Sequence, residues 1–117
     1  MIEIKNDKGS VRISNNVFTN LVGEAATSCF GVKGMALRSV SDGLVHLLKK
    51  ESMGKGVYLK YNDDSSISID LHIIIDRDVN INALANSIIS EVTYKIEKST
   101  GINVESVNVF VYSIVID

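Results

Sequence analysis

The last stretch of the chain, Val104-Glu105-Ser106-Val107-Asn108-Val109-Phe110-Val111-Tyr112-Ser113-Ile114-Val115-Ile116, is apolar on both sides if it is extended. Side chains alternate across a strand. Val107, Val109, Val111 and Val115 therefore share one face, and Phe110, Tyr112, Ile114 and Ile116 share the other. A chain of 117 residues can cover one face of a sheet with its own helices. A second apolar face calls for something else to pack on it, a second copy of the chain included. Asn108, Phe110, Tyr112 and Ile114 mark that face as the candidate interaction surface. Aromatic side chains are favoured anchors at such surfaces. The rival reading is that residues 1–10 or 41–55 fold over it.

Upstream, Ile67, Ile69, Leu71, Ile73 and Ile75 alternate with Ser68, Asp70 and His72, the pattern of a strand with one face buried. Val57 to Tyr61 alternates too, and Asn62-Asp63-Asp64-Ser65 is turn chemistry, so the two strands form a hairpin. A helix follows, capped by Asn80 or Asn82. Its apolar stripe is Ile81, Ala85, Ile88, Val92 and Ile96, at spacings of 4, 3, 4 and 4, widened by Leu84 and Ile89. Gly101 ends it.

An earlier helix starts at Ser14 and carries Val17, Phe18, Leu21, Val22, Ala25, Cys29 and Phe30, with Gly31 as its stop. Val11-Arg12-Ile13 before it and Val32 to Val40 after it read as strands. Asp42 caps a short helix, Gly43 to Lys50, with Leu44, Leu47 and Leu48 inward, and residues 52–56 form a loop. Residues 1–8 read as a loose lead-in. The order β-α-β-(short α)-β-β-α-β predicts an α+β two-layer sandwich. It has a mostly antiparallel open sheet and two main helices on one face. The whole of 1–117 is read as a single domain.

Twelve basic and 14 acidic side chains give a net charge of −2 and are spread along the chain, which argues against a nucleic-acid or anionic-membrane footprint. Cys29 is the only cysteine, so no internal disulfide and no cysteine-based zinc site can form, and a reducing compartment fits. Residues 1–5 are not a signal peptide, and no apolar run approaches the ~18–20 residues of a membrane span. The expectation is a cytoplasmic protein that meets a membrane only through a partner.

Each candidate for chemistry has a plainer alternative. Asp70 and His72 at i, i+2 share a strand face, but a metal needs three or four converging ligands. Cys29 lies on an apolar helical stripe, where free cysteines are usually inert. The pairs Asp63/Asp64 and Asp76/Asp78 sit in turns, where aspartate serves the backbone rather than acid–base catalysis. Gly31-Val32-Lys33-Gly34 matches the Gly-x-x-Gly of the KH RNA-binding module, but that loop joins two helices and this one joins a helix to a strand. Gly54-Lys55-Gly56 lacks the context of a phosphate-binding loop. No catalytic residue, metal or cofactor is therefore expected.

Two blocks carry a family resemblance. One runs from Gly9-Ser10-Val11-Arg12-Ile13-Ser14 through Ala25-Ala26 to Gly31-Val32-Lys33-Gly34-Met35. The other runs from Ile67-Ser68-Ile69-Asp70-Leu71 through Asn80-Ile81 and Thr100-Gly101-Ile102-Asn103-Val104 to Val107-Asn108-Val109-Phe110-Val111. With Ser41-Asp42-Gly43-Leu44 and Lys55-Gly56-Val57 between them, the chain resembles the alkaline shock protein family of Gram-positive bacteria, in its short YloU-like branch. The resemblance implies a non-enzymatic α+β protein associated with envelope stress that forms homo-oligomers. It further implies docking to a membrane-anchor protein or to a dihydroxyacetone-kinase-like fatty acid kinase. It supplies no catalytic residues. The family often has Tyr-Gly after the long strand where this chain has Arg77-Asp78, so no Gly-dependent turn is expected there. Two other functions stand beside this one: an RNA-binding module using Gly31–Gly34, and a small-molecule or lipid carrier holding its ligand between helices and sheet.

Overall fold

The computed structural model describes residues 1–38 and 45–113. Its elements are β1 (Ile2–Asn6), β2 (Gly9–Ile13), α1 (Asn15–Thr27), β3 (Val32–Arg38), β4 (Val45–Leu47), a 3-10 helix (Lys50–Gly56), β5 (Val57–Tyr61), β6 (Ile67–Ile75), α2 (Ile81–Thr100) and β7 (Val104–Tyr112).

β6 is the axis of the sheet. Its N-terminal half pairs antiparallel with β5, from Ile67↔Tyr61 to Leu71↔Val57. Its C-terminal end pairs antiparallel with β3, at Ile73↔Met35 and Ile74↔Gly34, and β4 extends the sheet beyond β3. Along its other side runs β7, in parallel, from Ile67↔Val104 to Ile74↔Tyr112. A parallel pair needs a long crossover, which α2 provides. The sheet is thus mostly antiparallel, with both main helices packed on one face.

The core follows from the alternation. Ile67, Ile69, Leu71 and Ile73 are fully buried and meet Phe18, Val22, Ala25 and Ala26 of α1 and Leu84, Ile88, Val92 and Ile96 of α2. Burying each large aliphatic side chain stabilises by about 1.5–3 kcal/mol, so the face Ile67–Ile73 sets the register. A one-residue slip would send those side chains to the opposite side. The buried stripe of α2 is narrower than its sequence periodicity, because Ile81 and Ile89 stay 50% and 37% exposed. On α1 the same happens at both ends. Val17 is 45% exposed, and Phe30, beyond the helix end at Thr27, is 98% exposed.

Three local expectations change. Residues 1–8 are not a loose lead-in: β1 and β2 form a hairpin from Ile2↔Ile13 to Asn6↔Gly9, and Ile2, Ile4 and Ile13 pack against the core. The short helical element lies at Lys50–Gly56, and Val45–Leu47 within the expected helix is a strand paired with β3. The remainder of that helix, with Leu44, falls outside the described residues. Residues 52–56, expected as a loop, belong to the 3-10 helix, and Gly56 is a glycine because the backbone passes close to β3, where a Cβ would stand 2.9 Å from the Ala36 carbonyl oxygen.

The helix boundaries have local causes. Asn80, not Asn82, caps α2, its Oδ1 accepting from the Ala83 N–H at 3.0 Å. Gly101 ends α2 in the left-handed conformation, φ 75°. Ser28 donates back to the Ala25 carbonyl at 2.8 Å, an acceptor that the end of α1 leaves open, and Thr27 donates to the Gly23 carbonyl at 2.8 Å. Gly31 follows at φ +101°, where a Cβ would lie 2.5 Å from Val79 Cγ1.

The turn after β6 corrects another expectation. Asp78 adopts φ 61°, so a left-handed residue is required there and an aspartate occupies it. A residue with a Cβ is strained in this region, aspartate less than most. Asp78→Gly is expected to raise stability by about 0.5 kcal/mol, strain relief outweighing the added chain entropy. A urea midpoint that stays put or falls would show that the Asp78 side chain itself holds the turn.

In the β5–β6 turn, Asp64 Oδ1 accepts from Ser66 Oγ at 2.6 Å and from the Ser66 N–H at 3.1 Å. The Ser66 side-chain bond, then its backbone bond, holds the Asp64 carboxyl below the usual aspartate range. A carboxyl whose pKa falls on folding stabilises above its unfolded pKa, and that contribution is lost as pH drops through the folded value. This contribution to stability is therefore expected to be lost as pH falls below the ordinary aspartate range, and Ser66→Ala to make that decline shallower. An unchanged slope in Ser66→Ala would remove Asp64 from the account.

Candidate interaction surface

The sheet face away from the helices carries the candidate residues. β6 presents Ser68, Asp70, His72 and Ile74 there, and β7 presents Asn108, Phe110 and Tyr112. The parallel register sets Asp70 beside Asn108, His72 beside Phe110 and Ile74 beside Tyr112. The structure places three of the four predicted surface residues, Asn108, Phe110 and Tyr112, on one face, while Ile114 lies outside the described residues.

These side chains form a preassembled row. The His72 ring stacks on Phe110, with centroids 4.7 Å apart and planes at 14°, and meets Tyr58 of β5 edge-on at 5.3 Å. His72 Nδ1 and the Tyr112 hydroxyl are 2.9 Å apart, within hydrogen-bond distance. Asn108 Nδ2 donates to Asp70 Oδ1 at 2.9 Å. Each ring pair contributes about 0.5–1.5 kcal/mol beyond its buried area, so the row is held in place before anything binds it. Tyr58 and Phe110 nevertheless remain 53% and 44% exposed. Tyr58 is absent from the sequence-based surface. The signal for it was there, because the hairpin register places Tyr58 opposite Asp70 and so on this face.

At the β3 end the face is buried. Ile74 and Ala36 are 0% and 1% exposed although they lie outside the main core cluster. Leu47, registered with Ala36, comes so close to Gly34 that a Cβ there would meet Leu47 Cδ1 at 2.7 Å. Leu47 of β4 thus packs beside the β3 end of this face, and Tyr58 and Phe110 in the ring row stay exposed. The hairpin of residues 1–13 packs on the core instead.

The other candidates resolve into structural roles. Asp70 and His72 engage Asn108 and the ring row, and no group of three metal-binding side chains occurs among the described residues. Burial, then the Glu91 carboxylate, pushes the Cys29 thiol up from its ordinary pKa, which disfavours the thiolate that nucleophilic chemistry requires. Gly31 and Gly34 flank the start of β3, and Val79 and Leu47 account for both.

The fold and this face define a class: an α+β two-layer domain that leaves an ordered aromatic row open on its sheet. Similarity to known proteins places it further. A profile of the alkaline shock protein 23 family, described as having a cell envelope-related function, matches residues 3–116, and the chain belongs to that family. It is 33% identical to the uncharacterized protein YloU of Bacillus subtilis (strain 168) over 97% of this chain and 94% of that protein. It is 34% identical to the uncharacterized protein Spy1614 of Streptococcus pyogenes serotype M6 over 97% of this chain and 93% of that one. Among solved structures, two variants of the MamM CTD superpose with TM-scores of 0.51 and 0.50 at 19% identity. They cover 87% and 86% of this chain and 100% and 95% of theirs, and they share the fold alone.

Proposed function

We propose that this chain is a non-enzymatic interaction protein that self-associates and docks to an envelope-linked partner through the open part of its sheet face. One observation carries the reading: Tyr58, His72 and Phe110 form a rigid row of rings whose members at both ends are about half exposed. A preorganised aromatic patch loses little side-chain entropy on binding, which favours protein contacts.

Family membership supports an envelope role, and no helix among the described residues is long and apolar enough to cross a membrane. A membrane-anchor protein or a dihydroxyacetone-kinase-like fatty acid kinase is the partner this reading assigns. Tagged wild-type protein is expected to recover such a partner from native membrane or soluble fractions, and Phe110→Lys to lose it. Equal recovery by both proteins, or recovery of RNA instead, would overturn the docking reading.

A further inference from the structure

We propose that β7 is a pairing edge. Two copies of the chain join antiparallel along its Asn108–Tyr112 stretch, with the two-fold axis at Phe110, so that their sheets become one. This deepens the self-association reading and rests on it.

The edge is open and undefended. Among the described residues β7 pairs only with β6. Val104 donates its N–H to Glu97 Oε2 at 3.0 Å, and beyond it the other side presents N–H and C=O groups from Glu105 to Tyr112, a span of about 27 Å. Natural edge strands are normally blunted by lysine, proline or short length. Val104–Tyr112 has neither residue, and its only charge is Glu105. The helix-side face of β7 is also unfinished. Leu71 and Ile73 are fully buried, while their registered neighbours Val109 and Val111 remain only partly so.

The ring row identifies the occupant and the register. His72 and Phe110 stack at 4.7 Å, which matches the spacing between strands. A further strand on the open side would set a side chain against the outer face of Phe110. With the axis at Phe110, that side chain is Phe110 of the second copy, and the stack continues into the second copy's His72. The same register sets Asn108 opposite the second copy's Tyr112, and Val109 opposite its Val111. It also keeps the two Glu105 carboxylates about 34 Å apart, so they do not repel.

Directly opposed residues approach within disulfide reach, whereas the two copies of residue 108 would lie about 14 Å apart along the strands. The test uses the full chain with Cys29→Ser, carrying either Asn108→Cys or Tyr112→Cys. Under mild oxidation the mixture is expected to give a disulfide-linked dimer, and each variant alone none. A light-scattering mass above one chain without the mixed cross-link, or with equal cross-linking of a single variant, would overturn the edge geometry and leave self-association standing. A monomer at every concentration would overturn both. Hydrogen exchange on the unmodified protein provides a measurement free of substitutions. The outward amides of β7 are expected to slow as concentration rises, and concentration-independent exchange in an oligomer would sink the proposal, because packing through the sheet face alone leaves those amides free.

Discussion

Leu71→Ala is expected to lower stability by about 3–5 kcal/mol, the largest effect any single truncation here should produce. Leu71 is fully buried at the middle of β6, registered with Val57 on one side and Val109 on the other. Removing its isobutyl group forfeits the transfer free energy and leaves a cavity whose walls belong to three strands that cannot easily move inward. Small domains have about 5–15 kcal/mol in hand, so the variant should be partly unfolded near physiological temperature. The contrast is Tyr58→Ala on the opposite face, where losing a 53% exposed side chain and its edge contact with His72 should cost no more than about 1.5 kcal/mol. Urea unfolding of the two variants side by side checks the layer assignment. Comparable losses would mean that the two faces of the sheet are buried alike and that the open face is not open.

Much of this was legible in the sequence because the signal was periodic. The alternation of Ile67 to Ile73 and the recurrence of Leu84, Ile88, Val92 and Ile96 each report a single buried face, and the fold offers them one place to go. The two-sided apolarity of Val107–Tyr112 likewise located the candidate surface. The misreadings lie where local pattern is weak and tertiary contact decides. Ile2 and Ile4 alternate over too few residues to announce β1, and become a strand by pairing with β2 and packing on the core. Val45–Leu47 carries helix-like leucine spacing around it but satisfies its backbone against β3. Phe30 fits a helical stripe by count, yet the helix ends at Thr27 and leaves Phe30 in solvent. Asp78 hides a left-handed turn because glycine is the usual marker, and aspartate is one of the few residues able to stand in for it.

Phe110→Lys is expected to shift self-association to at least about 30-fold higher concentration, the equivalent of losing one aromatic anchor worth about 2 kcal/mol. Phe110 ends the ring row and is 44% exposed, so it is ordered by His72 on one side and available on the other. A lysine there keeps the strand and much of the aliphatic contact, but would have to desolvate an ammonium group inside the contact. The fold itself should lose no more than the stacking on His72, about 0.5–1.5 kcal/mol, and therefore remain native by circular dichroism. Phe30→Lys is the control, because Phe30 is more exposed than Phe110 yet stands outside the row. If the wild-type mass exceeds the 12.8 kDa of one chain, Phe110→Lys should return it toward that value and Phe30→Lys should not. Equal effects of the two would mean that general stickiness, not an ordered surface, holds the copies together. An unchanged mass in Phe110→Lys would move the contact off this face altogether.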